Sequence, residues 1–224
     1  MKKYIQFLLI TAVILGIACT VTDYYSKSES AENKYAFIQS AENRKSSHEL
    51  ILINNHNCIP ENFDIELKET RNAEQVDERI YGFLEEMLSD AENAGFSPEI
   101  TSGYRSKEKQ QDIFDNRVKE YRDAGYSLRE ANQLTSEQVA KPGYSEHESG
   151  LAVDINSADG NSWELYGWLQ SNCYRYGFIV RYPDGKEDIT GIQYEPWHLR
   201  YVGQEVAEYI YQNNLTLEEY VFKQ

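Results

Sequence analysis

Two short stretches of this chain carry groups that can do chemistry. One is Ser145-Glu146-His147-Glu148-Ser149-Gly150-Leu151-Ala152-Val153-Asp154, and the other, later in the chain, is Glu195-Pro196-Trp197-His198. His147, Asp154 and His198 offer two imidazoles and a carboxylate, a donor set that suits zinc. Three protein ligands leave one tetrahedral position for water, as catalytic rather than structural sites do. Glu195, beside the last ligand, can take a proton from that water and pass it to a leaving group. The pattern reads as a zinc hydrolase. Residues 195 and 198 fall on opposite faces of a regular strand. Both reach one metal only if the strand starts irregularly, which Pro196, with no N–H to donate, favours. Glu146 and Glu148 flank a ligand and are rival bases by position, but are read as part of a solvated loop. The other two histidines, His48 and His56, are read as ordinary polar residues.

Arg105 lies in Ser102-Gly103-Tyr104-Arg105-Ser106, between a strand and a helix start. A guanidinium fixed there can hold a carboxylate or steady an oxyanion. Ser106 can cap the following helix, with Glu108 in its first turn.

The elements that must position these groups follow from periodicity. Val76, Ile80, Phe83, Leu84, Met87, Leu88 and Ala91 share one face of a helix expected over 72–94, closed by Gly95. Residues 99–101 form a strand, 106–124 a helix and 128–139 another, with Pro142-Gly143 opening the metal loop. In the strand 151–155, Leu151, Val153 and Ile155 point one way and present Asp154 on the other face. A helix over 162–176 ends at Gly177, and 178–181 form a strand. Pro183-Asp184-Gly185 is a turn, and 197–201 a last strand. Val206 and Ile210 lie on a further helix, and Thr216 with Glu219 make a capping box. Helices and short strands without strict alternation predict an α+β fold, a small central antiparallel sheet flanked by helices with the zinc site on the sheet face.

The chain has 224 residues and a net charge of −15, which repels phosphate backbones and excludes nucleic acid as a partner. Met1-Lys2-Lys3 and the apolar run to about Val21 have the form of an export segment. It is either a signal anchor near membrane-spanning length or a lipoprotein signal ending at Cys19. The chain therefore divides into residues 1–21, a polar spacer over 22–48 and an extracytoplasmic domain over 49–224, held at the cell membrane. No close cysteine pair is present, so the zinc ligands are not thiolates. Cys58 and Cys173 either form a disulfide or stand as separate thiols.

The three motifs, 102–106, Gly143-Tyr144-Ser145-Glu146-His147 through Asp154, and Tyr194-Glu195-Pro196-Trp197-His198-Leu199-Arg200-Tyr201-Val202-Gly203, closely resemble the VanY-like D-alanyl-D-alanine carboxypeptidases, zinc peptidases of the bacterial cell wall. The resemblance covers about residues 50–212. It implies zinc on His147, Asp154 and His198, Glu195 as catalytic base, and Arg105 as oxyanion stabiliser or substrate anchor. It also implies substrate contacts from Gln110 (or the adjacent Gln111), Ser145 and Tyr182. The expected activity is removal of the C-terminal D-Ala from peptidoglycan stem peptides by a monomer. The alternatives are an L,D-carboxypeptidase acting on the tetrapeptide and a non-catalytic, zinc-stabilised wall-binding module. An endopeptidase cutting cross-bridges would need a cleft open at both ends.

Overall fold

The structure is a computed structural model that describes residues 48–223. The expected export segment and nearly all of the spacer lie outside the described residues. A two-stranded ribbon, β1 (Leu67–Glu69) and β2 (Gln75–Asp77), leads into helix α1 (Glu78–Asn93). Strand β3 (Pro98–Ser102), helices α2 (Lys107–Asp123) and α3 (Leu128–Ser136) and strand β4 (Ala152–Ser157) follow. Then come α4 (Ser162–Asn172), β5 (Phe178–Tyr182), the single turn α5 (Glu187–Thr190), β6 (Glu195–Tyr201), α6 (Gln204–Asn213) and α7 (Leu217–Lys223). The main sheet has the order β3-β4-β6-β5, every pair antiparallel. It is the expected α+β architecture.

Strand alternation separates core from site. Leu151, Val153 and Ile155, with Leu199 and Tyr201 of β6, pack against Ile80, Leu84, Met87 and Leu88 of α1 and Leu165 and Leu169 of α4. The intervening residues Asp154, His198 and Arg200 face the other way. On that side a smaller cluster joins Leu50, Leu52, Ile179, Val202, Ile210, Leu217 and Val221, binding the segment before the ribbon to the two C-terminal helices. Thr216 and Glu219 form the expected reciprocal cap of α7, with bonds of 3.0 and 3.1 Å.

Several boundaries differ from expectation. The first helix starts at Glu78, not at residue 72, because 75–77 pair with 67–69 and Asp77 caps the helix by accepting from Arg79 N at 2.9 Å. Val76 is core, but enters from a strand. The third helix stops at Ser136, freeing 138–140 to line the site. The fourth is helical to Asn172 and closes through a tighter turn, Cys173–Tyr176. Cys58 is exposed, whereas Cys173 is buried in the core. Both thiols are free, so the disulfide alternative does not hold.

Gly177 turns that last segment into β5 at φ +85°. A Cβ there would lie 2.6 Å from Tyr201 Cε2 and 3.1 Å from Gln204 N. At Gly95, φ +97°, a Cβ would meet nothing. Gly95→Ala should therefore cost only left-handed strain, about 1 kcal/mol, and Gly177→Ala clearly more, about 3 kcal/mol. Urea unfolding of the two variants measures the difference. Equal losses would contradict the packing of Gly177.

Candidate metal centre

Local devices set each of the three candidate ligands, His147, Asp154 and His198. His147 sits on a single tight turn, Glu146–Ser149, that ends at Gly150 in the left-handed conformation. Arg105 N donates to the His147 carbonyl at 3.1 Å. His147 Nδ1 lies 2.8 Å from the Gly103 carbonyl. A carbonyl only accepts, so Nδ1 carries the proton and Nε2 presents its lone pair. Nε2 lies 3.4 Å from Asp154 Oδ2. Asp154 and His198 are direct partners across β4 and β6, with Asp154 Oδ1 3.0 Å from His198 Nδ1. The ligand atoms of the three residues all lie within 4.8 Å of one another. Tetrahedral zinc at its usual bond lengths sets neighbouring donors about 3.4 Å apart, so the cluster fits it.

The electrostatics point the same way. Burial lowers the pKa of the His147 imidazole and favours its neutral, ligating form. Burial opposes charge on His198 too, but carboxylates at both ring nitrogens, Asp154 and Glu146, lift it to about 9. A dication at Nδ1 would satisfy the same demand for positive charge. The Asp154 carboxyl, which burial alone would raise, is held well below the usual range by His147 and His198.

Glu195 opens β6 at a bulge. Between the pairs Val180–Leu199 and Tyr182–Glu195, β5 contributes only Arg181 while β6 contributes residues 196–198. This is the irregular start that the sequence called for. It brings Glu195 Oε2 to 3.9 Å from His198 Nδ1. Burial, with Asp154 and Glu146 adding negative charge, pushes the Glu195 carboxyl up to about 7. Arg105 is fixed by Ser102 Oγ at 2.9 Å, Asp154 Oδ2 at 3.0 Å and Gln110 Oε1 at 3.4 Å.

A pocket of about 230 Å³ gathers Arg105, Gln110, Ser145, His147, Asp154, Tyr182, Glu195 and His198. The Tyr182 ring lies 5.0 Å from that of His198. Gln110 is buried, with both ends of its amide engaged, the second donating to the Ala140 carbonyl at 2.7 Å. Gln111 is exposed and bonds Asp115 instead. His48 and His56 lie elsewhere: His48 stacks on Phe63 and neighbours Arg79.

The solvated-loop reading of Glu146 and Glu148 is overturned. Both are buried. Glu148 accepts from Gly143 N at 2.8 and 3.0 Å and locks the metal loop. Glu146 accepts from Arg181 and Arg200 and stands 3.4 Å from His198 Nε2. Sequence reasoning also missed the pocket wall formed by Ile113, Gln138, Val139, Ala140, Ile192 and Trp197. Only the early stop of α3 would have signalled its middle part.

A family model described as VanY, D-alanyl-D-alanine carboxypeptidase, matches residues 73–204, which contain the whole site. The chain belongs to this family. A relative, a D-alanyl-D-alanine carboxypeptidase of Enterococcus faecalis (strain ATCC 700802 / V583), is 49% identical over 77% of this chain. The match spans 65% of that relative, just under two thirds of its length. Two solved VanY structures superpose at TM-scores of 0.76 and 0.75, with 47% and 48% identity, covering 78% of this chain and 98% and 99% of theirs. One is VanYB in complex with D-alanine-D-alanine. The other is a mutant of the vancomycin resistance D,D-pentapeptidase VanY from a VanB-type cassette in complex with Zn(II).

In this VanY member, Gly103 supplies the carbonyl that orients His147, and a Cβ on it would lie 2.3 Å from the Gln75 carbonyl oxygen. Gly103→Ala should displace that carbonyl and weaken zinc binding about 10–100-fold. Competition with a chromogenic chelator measures the loss. Unchanged affinity in the folded variant would show that the Gly103 carbonyl does not set the His147 ring.

Proposed function

We propose that this chain is a zinc-dependent D-alanyl-D-alanine carboxypeptidase that removes the C-terminal D-Ala from peptidoglycan stem peptides. The observation that carries the reading is one pocket holding the His147–Asp154–His198 cluster, a Glu195 carboxylate with a raised pKa and a fixed Arg105 guanidinium. The zinc and D-alanine-D-alanine complexes of the two VanY structures support it.

His147 Nε2, the Asp154 carboxylate and His198 Nδ1 would hold the metal. Bound zinc supplies Lewis acidity toward water and toward the scissile carbonyl oxygen. Glu195 accepts the proton from the attacking water and returns it to the departing D-Ala amine. Arg105, held by Ser102 and Gln110, presents its guanidinium to the developing oxyanion or to the substrate carboxylate. Ser145 and Tyr182 form the wall against which the terminal residue lies. Gln110 holds Arg105 and, through the Ala140 carbonyl, the 138–140 wall in place. The basic start and apolar run of residues 1–21 support tethering to the membrane with the domain outside the cytoplasm. Among the described residues, no helix is long and apolar enough to cross a membrane.

D-alanine release from stem pentapeptide and tetrapeptide tests the proposal. Release from the pentapeptide is expected, and release from the tetrapeptide alone would move the assignment to L,D-cleavage. Glu195→Gln should keep zinc and lose about 10²–10⁴-fold in kcat. Full activity in this variant would remove Glu195 as the base, and loss of zinc would make it a ligand. Because the base must be ionised, wild-type kcat/KM should fall as pH drops through the Glu195 pKa. A profile that rises as the pH falls would contradict that role.

A further inference from the structure

Four buried charges run from the metal pocket to the C-terminal helix. Glu146 Oε1 accepts from Arg181 Nε at 2.7 Å and from Arg200 Nη1 at 2.8 Å. The far side of Arg181 forms a two-pronged pair with Glu218 of α7, at 2.8 and 2.6 Å. Arg200 Nη2 donates to the carbonyls of Glu49 and Ile51. Asn54 Nδ2 donates to Glu218 Oε1 at 3.1 Å. Both arginines are fully buried. The remaining oxygen, Glu146 Oε2, faces His198 Nε2 at 3.4 Å.

Two carboxylates and two guanidiniums sum to zero charge. A buried cluster of this kind is a poor source of stability, since apolar residues of similar volume commonly do as well or better. Its position against a ligand gives it another role. A metal-bound imidazole is oriented, and made more basic, by a carboxylate at its second nitrogen. We infer that Glu146 is a positioning residue for His198, and that Arg181 and Glu218 couple metal binding to the docking of α7.

The geometry supplies both links. Oε2 fixes the Nε2–H form of His198 and so turns Nδ1 toward Asp154. Arg181 and Arg200 share Oε1, which keeps the carboxylate from rotating off the ring. Glu218 neutralises Arg181. Without it, an uncompensated positive charge lies beside a site that must accept a dication. Coupling of binding equilibria is reciprocal. Zinc should therefore tighten α7, and loosening α7 should weaken zinc. The coupling presupposes zinc at His147, Asp154 and His198.

The test uses the full chain as wild type, Glu146→Gln and Glu218→Gln. It reads zinc affinity by chelator competition, the d–d spectrum of the cobalt form, and hydrogen exchange of residues 217–223 with and without zinc. Glu146→Gln should weaken zinc about 10–100-fold, and Glu218→Gln about tenfold, each with an altered cobalt spectrum. In wild type, zinc should slow exchange in α7. Unchanged zinc affinity and cobalt spectrum in Glu218→Gln, with α7 exchange indifferent to zinc, would overturn the coupling and leave the network a structural one. Should Glu146→Gln fail to fold, Glu218→Gln and wild-type exchange still decide. Wild type that binds no zinc would instead overturn the zinc reading itself, a result distinct from equal affinities across the series.

Discussion

Antiparallel pairing of β4 with β6 places Asp154 directly across from His198, both on the face turned away from the main core. The site depends on this register. A slip of either strand by one residue would turn that strand's side chain, Asp154 or His198, into the packed face and bring Val153 or Leu199 out. The core forbids that slip, because Leu151, Val153, Ile155, Leu199 and Tyr201 are all buried in one cluster. The hydrophobic effect thus sets the face on which two of the three candidate ligands stand. The third, His147, needs a separate device, and it has one in the Gly103 carbonyl and the Glu148-locked turn.

Around that frame the chain accepts local costs where geometry requires them. The β6 bulge gives up regular pairing so that Glu195 stands beside His198 instead of pointing through the sheet. Burial of Glu195 is unfavourable for its charged form, and the same burial makes it a stronger acceptor for a proton. Arg105 spends three hydrogen bonds on Ser102, Asp154 and Gln110, which leaves a rigid guanidinium at the pocket edge. Preorganised charge of this kind does not have to reorient when the reaction charge develops.

The gathering of His147, Asp154, His198 and Glu195 in one pocket was legible because the signals are local: residue types that bind zinc, in strand patterns with period two. The bulge was legible from a conflict, since a regular strand could not aim both 195 and 198 at one metal. Glu146 was not legible. Its partners Arg181, Arg200 and Glu218 are distant in sequence, and an isolated Glu beside a histidine reads as solvated. The start of α1 was misjudged because Val76 continues the helical spacing by coincidence while Asp77 ends a strand and caps the helix. The pairing of Cys58 and Cys173 had no local signal, and the fold sets one thiol at the surface and the other in the core.

The most direct check on the central claim is where zinc binds. Crystals of the zinc-saturated chain, measured on both sides of the zinc absorption edge, would locate the ion without reference to activity. The account predicts one anomalous peak within bonding distance of His147 Nε2, the Asp154 carboxylate and His198 Nδ1, with the Glu195 carboxylate beside it and not bound. A peak held by His198 Nε2, by Glu195 as a ligand or at any other set of residues would contradict it.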